Sequence, residues 1–144
     1  MAEDNQDWLR FDFYPTGAEL MRQGTRGGNL IVLKEGEIEV LRDGAFVSST
    51  RQPGTIFGEM SVLLDKPHSA TVRAVTDVQI FVIEDAIKVL QSHPSWLMQI
   101  ARLLAQRVNA TTAQLVEARA GDAPEPEPMV LPSTVFSSWS DPQI

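Results

Sequence analysis

From Trp8 to Glu84 the chain alternates apolar and polar residues in short runs with a period of two. Leu9, Phe11 and Phe13 interleave with Arg10 and Asp12; Ile38 and Val40 interleave with Glu37 and Glu39; Val72 and Ala74 flank Arg73. That period sends successive side chains to opposite faces, so the runs predict short, half-buried strands. Turn signals separate them at Pro15-Thr16-Gly17, Gly24, Gly27-Gly28, Glu35-Gly36, Asp43-Gly44 and Pro53-Gly54. Asp43-Gly44, between Val40 and Val47, is the strongest hairpin signal, because such a turn needs positive φ at both central residues. Many short strands at even spacing predict a sandwich, jelly roll or barrel.

The period changes after Ile83. Asp85 is placed to N-cap a short helix over Ala86 to Ser92. Pro94 suits the first turn of a second helix, which the pattern carries to about Arg119. Leu97, Ala101, Leu104, Val108, Thr111, Leu115 and Ala118 recur at spacings of four and three, a heptad-like stripe. The stripe reads equally well as a cover for the sheet and as the seam of a homodimer. Gly121 is a stop signal. The following DAPEPEP is acidic and proline-rich, which predicts an extended, flexible segment. Val130, Leu131, Val135, Phe136 and Trp139 follow in no clear period, which leaves docking and disorder both open.

The formal net charge is −7, and it is unevenly placed. Residues 121–144 hold 4 acids and no base, whereas residues 1–120 hold 15 acids against 12 bases. Neither part offers the basic surface that nucleic-acid phosphates require. There is no cysteine, which excludes disulfides, thiolate catalysis and thiolate metal sites. The two histidines, His68 and His93, lack metal-ligand spacing, so no metal site is expected, and His93 reads as a solvated residue at a helix start. No nucleophile–base pair or paired carboxylates are recognisable, which argues against an enzyme. The N-terminal MAEDNQDW has three acids and no apolar core, so no secretory signal is expected. No apolar run approaches the roughly 18 residues of a membrane span. Together these features predict a cytoplasmic protein.

One stretch carries candidate chemistry. A small anionic nucleotide needs backbone N–H groups turned toward phosphate, usually from a glycine turn feeding a short helix. It needs a positive group for the charge and a carboxylate for ribose hydroxyls, all inside a mostly apolar pocket. Pro53-Gly54-Thr55-Ile56-Phe57-Gly58-Glu59 followed by Met60-Ser61-Val62-Leu63-Leu64 supplies a glycine turn and a one-turn helix. Pro67-His68-Ser69-Ala70-Thr71-Val72 then re-enters the sheet.

The order FGEMSVLL, a short loop, then PHSATV closely resembles the phosphate-binding cassette of the cyclic-nucleotide-binding domain family. FYPTGAELMRQG resembles that family's first strands, and NLIVLKEGEIEV its central strand pair. The resemblance covers about residues 11–119. It implies a mainly β fold, a double-stranded β-helix or jelly-roll-like β-roll, followed by two helices. The implied domains are an N-terminal extension at 1–10, the roll with its helices at 11–120, and a flexible acidic tail at 121–144. It implies a non-enzymatic sensor whose ligand is cAMP or cGMP, with no obligatory cofactor, signalling through its C-terminal helix to a protein partner that the sequence does not name. The implied site is Phe57, Gly58, Glu59, Met60, Ser61, His68, Ser69, Ala70 and Val72. Gly58 and Ser61 would donate backbone N–H groups to the phosphate or sugar, and Glu59 would accept from the ribose 2′-hydroxyl. Ser69 and Ala70 would reach the phosphate. Met60, Val72 and a residue of the last helix would meet the base.

Two departures from the family stand out. His68 occupies the position where the family has arginine. Arginine is always charged and grips phosphate with a planar fork, whereas histidine is shorter and mostly neutral near pH 7. A second reading follows: a domain that keeps the fold, has lost the ligand, and serves as a protein-interaction module. Only about ten residues precede Phe11, so the helical segment common ahead of the first strand is expected to be missing. A transcription regulator of the catabolite-activator type would need a helix-turn-helix after the last helix, where this chain has an acidic, proline-rich stretch instead.

Overall fold

The computed structural model describes residues 7–120 and 128–139, except for the side chains of residues 110–120. Eight strands form two four-stranded antiparallel sheets. β1 (Leu9–Tyr14), β8 (Val78–Ile83), β3 (Leu30–Glu35) and β6 (Ile56–Phe57) make the first, in that order. β2 (Glu19–Met21), β7 (Thr71–Ala74), β4 (Ile38–Arg42) and β5 (Ala45–Thr50) make the second. The hairpin expected at Asp43-Gly44 joins β4 to β5, with φ of 53° and 80° at the two turn residues. α1 (Glu59–Leu64) lies between β6 and β7, while α2 (Ala86–Ser92) and α3 (Pro94–Ala120) follow β8. This is the β-roll with trailing helices that the sequence implied.

The inner strands of the first sheet, β3 and β8, are buried on both faces, and the sequence shows why. β3 and β8 are runs of apolar residues, LIVL and IFVI, rather than alternations. Along β3, Ile31 and Leu33 point into the roll beside Met21, Ile38, Val72 and Ala74 of the second sheet. Leu30 and Val32 point the other way, against Val62, Ala86, Val89, Leu90 and Ile100 of the helices. A strand covered on both sides loses its polar phase, as sheets flanked by helices generally do.

Three details depart from expectation. The boundary drawn after residue 10 cuts through a strand that the alternation itself predicts: β1 begins at Leu9, which is buried, and Trp8 packs against the helical layer. Asp85 stands at the N-cap of α2, but in a left-handed conformation with no side-chain cap. The α3 stripe is turned by one residue. The helix buries Ile100 and packs Trp96, Leu103 and Leu104 inward, leaving Leu97, Ala101 and Val108 exposed. So Leu97, Ala101 and Val108 are not the cover for the sheet; of the stripe's described side chains only Leu104 turns inward. Thr111, Leu115 and Ala118 lie outside the residues whose side chains are described.

The C-terminus, whose apolar residues left docking and disorder both open within a tail given as flexible, takes the first course. Pro128 to Trp139 lies against the roll. Thr55 and Val130 form an antiparallel bridge, with Ile56 N–H donating to Met129 O at 2.9 Å and Leu131 N–H to Gly54 O at 2.9 Å. The chain then turns through α4 (Ser133–Phe136). Met129, Leu131, Val135 and Trp139 are all buried in the helical-side core. The physical reason is that β6 is a sheet edge, which offers backbone groups to any neighbouring extended segment. Residues 121–127 and 140–144 lie outside the described residues.

The tail also completes an aromatic cluster. Trp139 meets Trp8, Trp96 and Phe81 with ring centroids 6.1, 5.5 and 5.3 Å away. Trp8 and Trp96 are 5.4 Å apart. His93, expected to be solvated, stacks on Trp96 at 3.8 Å, and its Nδ1 lies 2.9 Å from Val89 O.

Candidate functional site

The site is built where β6 ends. Gly58 has φ of 91°, and a Cβ there would stand 3.0 Å from both Asn29 O and the terminal carbon of Met21. Both the left-handed backbone and the crowding require glycine. That turn launches α1, whose first internal bond is Val62 N–H to Gly58 O at 3.0 Å. The backbone N–H groups of Glu59, Met60 and Ser61 therefore find no acceptor within the helix itself. Ser61 is buried, and its hydroxyl donates to Gly27 O at 3.2 Å.

The return to the sheet is pinned by backbone. His68 N–H donates to Thr25 O at 2.8 Å, and Gly24 N–H donates to His68 O at 2.9 Å. This fixes the loop before β7 against the β2–β3 connection. Ser69 follows, its hydroxyl 3.8 Å from Met60 Sδ. Val72 is buried in the roll, while Met60 is 47% exposed.

These elements enclose a cavity of about 270 Å³. All nine residues singled out in the sequence line it: Phe57, Gly58, Glu59, Met60, Ser61, His68, Ser69, Ala70 and Val72. The walls between them are largely apolar, from Met21, Val40, Val47 and Ile56. Among the contributors that sequence reasoning did not name are Arg42 at the end of β4, Pro128 and Met129 from the tail, and Arg107, where only an unspecified residue of the last helix was expected. For Arg107 a signal existed. Once Trp96, Ile100 and Leu103 define the inner face of α3, Arg107 continues it at spacings of four, three and four. For Met129 there was none, because an isolated bridge to a two-residue strand leaves no period.

The electrostatics of the cavity are unusual for an anion site. Burial pushes the Glu59 carboxyl above its ordinary range; its own backbone N–H and the Arg107 guanidinium pull the other way. Burial pushes the His68 imidazole below its ordinary value, which favours its neutral form. The side chain at the family's arginine position therefore offers a weaker positive charge than a guanidinium would.

A family model described as the cyclic nucleotide-binding domain matches residues 11–90. The chain belongs to that family. The cGMP-dependent protein kinase egl-4 of Caenorhabditis elegans is 37% identical over 71 residues, which is 49% of this chain and 9% of the kinase. The Thermus thermophilus catabolite activator protein superposes with a TM-score of 0.69 at 26% identity, over 78% of this chain and 55% of that one. The regulatory subunit of a cAMP-independent protein kinase A from Trypanosoma brucei gives a TM-score of 0.52 at 26% identity, over 55% and 29%. The chain thus spans a small part of the curated relative and about half of the activator. The family match ends at Leu90, ahead of α3 and the tail. No helix among the described residues is long and apolar enough to cross a membrane.

Proposed function

We propose that this domain binds a cyclic nucleotide, cAMP or cGMP, and acts as a non-enzymatic regulatory sensor. The observation that carries the reading is the convergence of all nine cassette residues on one cavity. In this reading Gly58 and Ser61 offer backbone N–H groups, Glu59 accepts from the ribose 2′-hydroxyl, and Ser69 and Ala70 face the phosphate. Phe57, Met60 and Val72 give the apolar surface for sugar and base. The signal passes through α3, which reaches the cavity with Arg107. Ligand shifts α3 only by binding its two positions with different affinity.

Calorimetry with cAMP and cGMP on the wild type and on His68→Arg tests the reading, run at about pH 6 and about pH 8 to bracket the imidazole. Saturable wild-type binding to either nucleotide is the expected result. One observation favours a second reading, a protein-interaction module that has lost its ligand: His68, whose neutral form burial favours, stands where an arginine is the norm. The trypanosomal regulatory subunit, described as belonging to a cAMP-independent kinase, is a structural neighbour with which that reading is at ease. Binding by His68→Arg but not by the wild type decides for the module.

A further inference from the structure

We infer that Arg107 of α3 supplies the positive charge that meets the ligand's phosphate, taking over from the cassette position held by His68. The inference rests on the cyclic-nucleotide reading above and names the group that such a ligand would need. A cyclic phosphate diester carries a full negative charge. The cavity that would receive it already holds a carboxylate, Glu59. Two negative groups in a half-enclosed, largely apolar space repel strongly unless a cation sits with them.

Three basic side chains line the cavity: Arg42, His68 and Arg107. His68 is shorter than an arginine, and burial favours its neutral form. Arg42 is exposed, next to the Asp43-Gly44 turn, where water screens its charge. Arg107 is half-buried. Its helix is fixed in rotation by Ile100, Trp96 and Leu103 in the core, so the next inward position falls over the cavity. Its charge is felt at Glu59, the carboxylate read as the ribose partner. A guanidinium presents five donors in a planar fork, enough to face a carboxylate along one edge and a phosphate along another.

Relocating the cation changes what the ligand does. An arginine in the cassette would hold phosphate with the rigid roll. An arginine on α3 ties phosphate to the helix that follows the roll, so charge recognition and helix position become one event.

The experiment compares wild type, Arg107→Gln, Arg107→Lys, His68→Arg and the double variant His68→Arg/Arg107→Gln. It uses calorimetry with cAMP and cGMP, and competition by the neutral nucleosides adenosine and guanosine. Arg107→Gln is expected to weaken cyclic-nucleotide binding roughly ten- to a hundred-fold, the scale of one charge-assisted hydrogen bond. Nucleoside competition should be unchanged, because only the phosphate contact is lost. Arg107→Lys should fall between, and the double variant should regain most of the affinity. Thermal melting without ligand should show Arg107→Gln still folded cooperatively, with a Tm no more than a few degrees below wild type from the lost charge beside Glu59. Equal cyclic-nucleotide affinity in Arg107→Gln and wild type overturns the inference alone. Parallel loss of nucleoside and cyclic-nucleotide binding also overturns it, since that marks a packing role. Absence of wild-type binding to every one of these ligands overturns the sensor reading and the inference together.

Discussion

The cassette and the C-terminal tail meet at the same cavity but are held by different forces. Phe57 to Val72 is fixed chiefly by backbone: the Gly58 turn, the paired bonds between His68 and the Gly24-Thr25 turn, and the Ser61 bond to Gly27 O. Its apolar side chains at Met60 and Leu64 remain 47% and 54% exposed. Pro128 to Trp139 has its two backbone ties to the sheet edge at Met129 and Leu131, and is held beyond them by burying four large side chains. Backbone pinning leaves side chains available to a ligand. Side-chain burial contributes stability and leaves little to offer a ligand beyond the Pro128-Met129 rim. The comparison separates a region shaped for recognition from one shaped for cohesion.

The sharpest way to break this contrast is to truncate one residue on each side. Trp139→Ala removes a buried indole and should cost about 3–5 kcal/mol, a large share of a domain's stability. Met60→Ala, at an exposed position, should stay within roughly 0.5 kcal/mol. Urea denaturation measures both. Equal costs would mean that the tail is not part of the folded core.

The next effect should come from the turn that receives the tail. A Cβ on Gly54 would stand 2.7 Å from the Phe136 ring and 2.9 Å from Leu131 O, at a backbone φ of 94°. Gly54→Ala should therefore cost about 2 kcal/mol, part from the left-handed backbone and part from displacing the tail. Combining it with Phe136→Ala should cost less than the sum of the two, because the second change removes one clash. Strict additivity in thermal or urea melts would show that the tail does not bear on Gly54.

The smallest effect should appear at Glu59. Burial raises its folded-state pKa, so the fold favours the protonated carboxyl. The cost of the charged form is fully present above that raised pKa and is relieved as pH falls through it. Glu59→Gln should raise Tm by no more than a few degrees at neutral pH and show a weaker pH dependence. The same variant should lose affinity for cyclic nucleotides through the ribose contact. A fall in Tm at neutral pH would refute the assigned role of burial.

The cassette was legible because its residues are chosen by local geometry: a glycine for a left-handed turn, a short helix, and a strand at fixed spacing. Such constraints are written into contiguous sequence. The rotation of α3 was misread because apolar identity was taken as the guide. Leu97 and Val108 are apolar yet exposed, whereas Arg107 reaches inward, and long basic side chains do so by burying their stems. The tail was illegible for another reason. Its backbone partners, Gly54 to Ile56, lie more than 70 positions away in the chain, and α4 is only 4 residues long. Nothing periodic records such a long-range contact.

All three tryptophans of the chain stand in one cluster, drawn from β1's approach, the start of α3 and the tail. Neighbouring indoles at edge-to-face angles couple their electronic transitions, giving intense near-ultraviolet circular dichroism that vanishes when fixed packing is lost. The protein thus carries its own optical gauge. A single spectrum reports whether the far end of the chain is seated, without a label and without perturbing the cavity on the other side of the sheet edge.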